Sequence, residues 1–140
     1  MMTLADMLER DEGRKRSAYQ DHLGFWTIGV GRLIDARKGG GLSNAEIDFL
    51  LANDIRDKTA EVSAALPWVA RLSGARQAVL LGMAFQMGTE GLLKFRNTLA
   101  LVQGGNYAAA AKGMLQSKWA QQTPERALRM AKQMETGLWT

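Results

Sequence analysis

Residues 17–34 read SAYQDHLGFWTIGVGRLI, and this stretch decides the fold of its part of the chain. It is rich in aromatic and β-branched residues, which favour strands, and it is interrupted by glycines, which favour turns. The strand formers are Tyr19, Phe25, Trp26, Ile28 and Val30, and the glycines are Gly24, Gly29 and Gly31. We therefore predict a small, twisted antiparallel hairpin or three-stranded sheet, with its turn at His22 to Gly24.

A helix is predicted before this stretch. Thr3 can cap the helix, with Asp6 three residues on as in a capping box, and the apolar residues that follow fall on one helical face. We expect Gly13 to end this helix.

A basic loop and a long helix are predicted after the sheet. Residues 37–41 read RKGGG, which predicts a flexible loop without apolar anchors. Ser43 and Glu46 then form a second capping box. The helix that it opens should run to about Leu66, because Pro67 disfavours helical geometry at the residue before it.

The rest of the chain is predicted to be helical. We predict a short turn at 67–72, a helix at 74–87 capped by Ser73, shorter segments near 91–95 and 97–103, and helices at 107–119 and 124–134.

The predicted fold class is therefore α+β and mainly helical, in a single domain of 140 residues. A small α/β lobe with the short antiparallel sheet is expected at about 13–45, and a connecting helix at about 44–66. An all-helical lobe is expected at about 67–140, together with the first helix.

Composition excludes several kinds of site. The chain has no cysteine and one histidine, His22, which leaves no disulfide, no thiolate catalysis and too few ligands for a His-based metal site. We expect no metal and no cofactor. We find neither the apolar segment of a signal peptide nor the length of a membrane span, so we expect no stable membrane insertion. A net charge of +4 favours a polyanionic partner, although a solvated basic surface has the same composition.

Two carboxyl groups and a hydroxyl form a candidate catalytic set. Hydrolysis of a glycosidic bond usually needs one protonated carboxyl to assist the leaving oxygen and one ionised carboxylate. Glu12 is predicted at the C-terminal end of the first helix, where the partial negative charge of the carbonyls disfavours a further negative charge. Asp21 is predicted where the first strand enters its turn, and Thr27 on the returning strand, where its hydroxyl could hold a water.

The order and spacing of these residues resemble those of a known family. The blocks Asp11-Glu12-Gly13, Tyr19-Gln20-Asp21 and residues 24–31 are similar to the signature of the phage lysozymes of glycoside hydrolase family 24. Further blocks extend the resemblance over nearly the whole chain, at 85–88, 97–99, 117–119, 122–127 and 136–139.

The resemblance implies an inverting hydrolysis of the β-1,4 bond between N-acetylmuramic acid and N-acetylglucosamine in bacterial peptidoglycan. Glu12 would be the general acid, and Asp21 and Thr27 would position and activate the attacking water. The same resemblance implies a substrate cleft between the two lobes. Its substrate-binding residues would be Leu33, Phe85, Gln86 and Arg126, with Arg126 near Glu12.

The resemblance also implies an endolysin. Such a protein accumulates in the cytoplasm of the host bacterium and acts on the wall in the periplasm after release through a holin-type pore. We expect peptidoglycan as the partner, no nucleic acid and a monomer.

This chain departs from the family pattern at two places. Arg32 stands where the family commonly has a histidine, and Asp54 matches the aspartate that pairs with that histidine, so we predict an ion pair between Arg32 and Asp54. The segment between Leu33 and Ser43 is shorter than in the type member, so we expect a small helix of the family to be missing there.

Three other functions stay open at this point. A lytic transglycosylase cleaves the same polymer but needs one acid, which the complete Glu, Asp and Thr set argues against. A helical nucleic-acid-binding module is suggested by the basic charge, but no such signature occurs and the cations are spread along the chain. A wall-binding protein without activity would be retained on peptidoglycan and release no fragments.

Overall fold

The computed structural model describes residues 1–140, in two units that meet within one long helix. The first unit is Met1–Leu51 and the second is Ala52–Thr140. The expected association of the first helix with the helical lobe concerns the relation of the two units and stays a prediction.

The first unit begins with helix α1, Leu4–Glu12. Both hydrogen bonds of the predicted capping box are present, since the Thr3 hydroxyl accepts the N–H of Asp6 and an Asp6 carboxylate oxygen accepts the N–H of Thr3. Gly13 ends the helix with a positive φ of 78° and donates its N–H to Glu9, as predicted. These two ends place Glu12 in the last turn.

Three short strands form the antiparallel sheet, in the order β1-β2-β3. Their bounds are Lys15–Gln20 for β1, Trp26–Gly29 for β2 and Arg32–Leu33 for β3. The turn between β1 and β2 lies at residues 22–24, as predicted. In the register Thr27 stands opposite Tyr19 on one side and opposite Leu33 on the other. These three side chains therefore share one face of the sheet.

The basic segment after β3 is more ordered than the sequence predicts. Ala36–Lys38 form a turn of 3₁₀ helix capped by Asp35, whose carboxylate accepts the N–H of Arg37. The predicted lack of an apolar anchor is wrong, because Arg37 and Lys38 both lie over the ring of Phe25, at 5.0 and 4.8 Å from its centre. The loop gains its anchor from a residue far earlier in the chain, which the loop's own composition does not indicate.

Glycine at position 40 lets the loop return closely to the sheet. A β-carbon there would lie 2.6 Å from the carbonyl oxygen of Leu33, a distance that no side chain can adopt. The N–H groups of Gly40 and Gly41 instead donate to the carbonyls of Asp35 and Leu33.

Helix α2, Asn44–Ala65, begins at the predicted capping box. The N–H of Ser43 donates to the carboxylate of Glu46, and this bond lowers the pKa of Glu46. Arg32 also contacts that carboxylate, at 2.5 Å. Within the first unit the partner of Arg32 is therefore Glu46. The expected ion pair of Arg32 with Asp54 concerns the relation of the two units and stays a prediction.

The second unit is entirely helical. After a 3₁₀ turn at Pro67–Arg71 it contains α3, Gly74–Leu93; α4, Arg96–Gln103; α5, Tyr107–Leu115; α6, Lys118–Gln122; and α7, Pro124–Thr136. Ser73 caps α3 as predicted. The predicted helix at 107–119 is instead two helices, because the Ser117 hydroxyl accepts the N–H of Ala120 and starts a new one. No helix combines the length and apolar character that a membrane span needs.

The hydrophobic core lies in the second unit. Its largest fully buried side chains are Leu80, Met83, Leu92, Met114 and Met134, together with the valines Val62, Val79 and Val102. Each such side chain stabilises the fold by roughly 1.5 to 3 kcal/mol through its burial. In the first unit, by contrast, the two buried residues are Thr27 and Asp35, and both are polar.

Candidate active site

Asp21 is held by the backbone of the turn that follows it. One carboxylate oxygen, Oδ1, accepts the N–H groups of Leu23 and Phe25, each at 2.9 Å. The backbone of Asp21 forms two further bonds, its N–H to the carbonyl of Phe25 and its carbonyl to the N–H of Gly24. The second carboxylate oxygen has no hydrogen-bond partner in the protein. The turn therefore fixes the orientation of the carboxylate and leaves one oxygen able to accept a proton or a water.

Thr27 lies in the middle strand and is one of the two buried residues of its unit. Its hydroxyl donates a hydrogen bond to the carbonyl of Phe25 at 3.1 Å. A hydroxyl has one proton and two lone pairs, so this bond leaves its oxygen able to accept from a water. Thr27 is thereby suited to orient a water as an acceptor.

The backbone of Phe25 connects these two residues. Its N–H bonds the side chain of Asp21, and its carbonyl accepts both the N–H of Asp21 and the hydroxyl of Thr27. The structure thus brings together Asp21 and Thr27, two of the three predicted catalytic residues. The link between them is Phe25, a role that the sequence did not predict.

Glu12 lies against the turn between β2 and β3. A β-carbon on Gly31 would be 3.0 Å from Oε2 of Glu12 and 3.1 Å from its Cγ and Cδ. Glu12 is exposed, and its carboxylate makes no hydrogen bond within the first unit. Gly31 therefore provides the space in which the Glu12 side chain rests.

Replacing Gly31 by alanine should reduce activity through Glu12. Position 31 has a φ of 64°, at which a residue with a side chain lowers the free energy of unfolding by about 1 to 3 kcal/mol. The new methyl group would also displace the Glu12 carboxylate. We expect a loss of stability of that size and a fall in kcat of about tenfold. Thermal unfolding and the rate of cleavage of purified peptidoglycan measure the two effects.

Gly29→Ala is the matched control for this substitution. Gly29 has a similar φ of 69°, but a β-carbon there would have no atom within 4 Å, so the strain comes without contact to Glu12. It should lose similar stability and keep its kcat in the folded protein. Equal kcat values for the two alanine variants would show that Gly31 does not act through Glu12.

Asp35 and Arg37 form an ion pair beside the turn that follows Asp21. Arg37 donates from Nε to Oδ1 at 2.9 Å and from Nη2 to Oδ2 at 2.6 Å, and the Asp35 side chain is only 5% exposed. The Arg37 guanidinium holds the pKa of the Asp35 carboxyl well below its usual range, and the N–H groups of Arg37 and Trp26 lower it further.

This depressed pKa predicts a loss of stability in acid. In the unfolded chain Asp35 should titrate near its ordinary pKa of about 3.9, so the pair stabilises the fold fully above that pH. The contribution is lost as the pH falls below about 4 toward the lower pKa of the folded state. Asp35→Asn should therefore be less stable than wild type near neutral pH, with a difference that shrinks in acid. Denaturant unfolding at about pH 7, 4, 3 and 2 measures this, and a difference independent of pH would contradict it.

The other predicted substrate-binding residues are placed as follows. Leu33 lies beside Thr27 on the same face of the sheet. In the second unit, Phe85 is half exposed and lines a surface cavity of about 330 Å³ with four charged residues, Asp54, Asp57, Lys58 and Glu61. Gln86 accepts a hydrogen bond from the indole N–H of Trp119 at 3.0 Å, which leaves its amide N–H groups free. Arg126 is exposed in the first turn of α7. No three His, Asp or Glu side chains come together as a metal site would require.

Sequence reasoning missed four residues of this region. They are Phe25, Gly31, Asp35 and Arg37. Phe25 contributes its backbone and Gly31 its lack of a side chain, so the residue type indicates neither role. Asp35 and Arg37 do carry a local signal, because an acidic residue two positions before an arginine can form an ion pair with it.

Comparison with known proteins identifies the family of this chain. Residues 9–135 match the family model described as phage lysozyme. Probable T4-type lysozyme 1 of Dictyostelium discoideum is 30% identical over 96% of this chain and 95% of its own length. The pre-baseplate central spike protein Gp5 of Enterobacteria phage T4 is 31% identical over 97% of this chain and 28% of its own length.

A shorter alignment covers 91% of this chain and 14% of the peptidoglycan hydrolase gp36 of Pseudomonas phage phiKMV, at 28% identity. The family model covers most of the chain, and its matched range spans the positions of the predicted site residues. The chain therefore belongs to the phage lysozyme family and is a glycoside hydrolase that degrades peptidoglycan.

Proposed function

We propose that this lysozyme hydrolyses the β-1,4 bond between N-acetylmuramic acid and N-acetylglucosamine, with Glu12 as the general acid and Asp21 and Thr27 as the residues that hold and activate water. One observation carries the assignment of the water: the Asp21 carboxylate and the Thr27 hydroxyl are both hydrogen-bonded to Phe25, while the second carboxylate oxygen of Asp21 and the hydroxyl oxygen of Thr27 keep acceptor capacity.

The proposed reaction follows from these groups. Glu12 gives its proton to the glycosidic oxygen as the bond to the anomeric carbon breaks. A water that donates hydrogen bonds to Asp21 and Thr27 attacks that carbon from the opposite face, and Asp21 receives its proton. One water is consumed, a muramic acid with a free reducing end is formed, and the leaving sugar keeps its oxygen as a hydroxyl. Attack from the opposite face inverts the anomeric configuration.

Leu33, Phe85, Gln86 and Arg126 are proposed to bind the glycan strand. Leu33 offers apolar surface beside Thr27, and Phe85 offers a half-exposed ring of the kind that stacks on sugars. The free amide N–H groups of Gln86 can donate to sugar hydroxyl or acetamido oxygens. Arg126 brings a cation, which suits the carboxylates of the polymer.

Product analysis tests the proposed bond and stereochemistry. Purified peptidoglycan is digested, and the fragments are analysed by mass spectrometry and, within the first minutes, by NMR of the anomeric protons. Reducing muramic ends in the α configuration would support the proposal. Anhydro ends would mean a transglycosylase, reducing ends in the β configuration would contradict inversion, and retention on the wall without fragments would mean a binding protein.

We further propose that the protein acts as a monomeric endolysin, stored in the host cytoplasm and admitted to the wall through a holin-type pore. The phage-type family and the net charge of +4, which suits an anionic wall and should make binding weaker in salt, support this proposal. Bacteria that express the protein should stay intact until their inner membrane is permeabilised and should then lyse. Lysis without permeabilisation would contradict the dependence on a pore. Salt-sensitive binding to duplex DNA would contradict the expected absence of a nucleic-acid partner.

A further inference from the structure

The loop that follows the sheet contacts residues 24–26, which link the turn after Asp21 to Thr27. Arg37 donates from Nη2 to the carbonyl of Gly24 at 3.1 Å, and its guanidinium lies over the ring of Phe25 at 5.0 Å. Asp35 accepts the N–H of Trp26 at Oδ2, at 3.3 Å. The loop thus contacts the carbonyl of Gly24, the ring of Phe25 and the N–H of Trp26.

The loop is well suited to hold these residues because it is itself fixed. Arg37 binds Asp35 through two parallel hydrogen bonds, a geometry that confines the guanidinium in plane as well as in position. Asp35 is buried, and the one other buried residue of this unit is Thr27. The limited burial in this unit therefore falls on one catalytic candidate and on the acid that anchors the loop.

We propose that Asp35 and Arg37 are a positioning pair for Asp21 and Thr27, acting through residues 24–26. The inference rests on the proposed roles of Asp21 and Thr27 and extends them to the loop that contains Asp35 and Arg37. Neither residue of the pair needs to touch the sugar. Without the pair, the backbone of Phe25 gains freedom, and the two groups that must hold one water no longer keep a single relative orientation.

The expected effect is on the rate of the chemical step rather than on binding. Misplacement of catalytic groups by about 1 Å can cost on the order of a hundredfold in rate. Arg37→Gln removes the planar fork and the cation over Phe25, and we expect its kcat to fall by about 10- to 100-fold, with KM for a soluble, uncrosslinked peptidoglycan oligosaccharide changed less than about twofold.

Arg16→Gln is the matched control. Arg16 lies in the same unit, is exposed in β1 and makes no side-chain hydrogen bond or ion pair, so the substitution removes the same charge without touching residues 24–26. It should keep its kcat. Both variants are assayed below their unfolding temperatures, with circular dichroism to confirm that they are folded.

Two further measurements separate positioning from a structural role. Phe25→Leu keeps the backbone bonds to Asp21 and Thr27 but removes the ring beneath Arg37 and should lower kcat in the same direction. In a Thr27→Val background, Arg37→Gln should reduce kcat by less than it does in wild type, because the group that it positions is already gone.

The outcomes are distinct from those that test the reaction itself. If the wild-type protein releases no reducing muramic ends, the proposed function fails whatever the variants do. If the wild type cleaves and folded Arg37→Gln has the kcat of Arg16→Gln, the positioning role is wrong. Fully additive effects of Arg37→Gln and Thr27→Val would also overturn it.

Discussion

Glu12→Gln is expected to release reducing ends from purified peptidoglycan about a thousandfold more slowly than the wild-type protein. Glutamine has the shape of glutamate but no proton to give, so the leaving oxygen would depart without acid assistance. Stability should be nearly unchanged, because Glu12 is exposed, makes no hydrogen bond within its unit and rests over Gly31, where glutamine fits equally well.

Asp11→Asn provides the comparison for Glu12→Gln. Asp11 is the neighbouring acid in the last turn of α1, pairs on the surface with Arg10 and loses the same charge on substitution. Its rate should stay within about twofold of wild type, since an exposed ion pair contributes little. Similar losses in both variants would mean that the negative charge of the helix end matters, and not a proton on Glu12.

Asp21→Asn is expected to lower kcat by about a hundredfold or more while leaving the turn in place. The amide oxygen of asparagine can still accept the N–H groups of Leu23 and Phe25, but the amide cannot take a proton from water. A neutral acceptor is weaker than a carboxylate, so a destabilisation of about 1 kcal/mol accompanies the change. Steady-state cleavage rates and denaturant unfolding measure the two quantities.

Two further variants make this test specific. Asp21→Ala removes both hydrogen bonds and should be markedly less stable than Asp21→Asn, which separates the structural use of the carboxylate from its chemical use. Asp48→Asn removes an exposed acid of the same unit that makes no side-chain hydrogen bond and should have wild-type activity. Substantial activity in Asp21→Asn would exclude Asp21 as the base.

The elements that could be predicted from the sequence are those governed by near neighbours. Thr3, Ser43 and Ser73 cap helices through bonds to residues three positions away, and Gly13 ends α1 through a backbone conformation of its own. Such interactions are complete within one turn of helix, so the local sequence contains all that determines them.

Interactions across longer separations could not be predicted in the same way. Whether Arg37 lies over Phe25 depends on how the loop returns to the sheet, and that return depends on a close approach at Gly40 that no pattern encodes. The partner of Arg32 likewise depended on which carboxylate the fold brought to it. The break between α5 and α6 is a local feature that was missed, because the Ser117 cap lies within a continuous helical pattern.

The catalytic candidates were proposed from residue types that carry chemistry, together with the resemblance to the phage lysozymes. A carboxyl or a hydroxyl limits what a site can do, and the order and spacing typical of the family singled out Glu12, Asp21 and Thr27. The backbone of Phe25 and the missing side chain of Gly31 carry no such mark, since every residue has a backbone and glycines serve many purposes.

The use of backbone atoms at Phe25 has a consequence for how this protein can vary. Any residue at position 25 other than proline supplies the same N–H and carbonyl, so exchange of its side chain leaves the bonds to Asp21 and Thr27 possible. Adding or removing one residue between 21 and 27 would instead shift which peptide group faces which side chain. A change of length between 21 and 27 should therefore reduce activity far more than an exchange of the side chain at position 25.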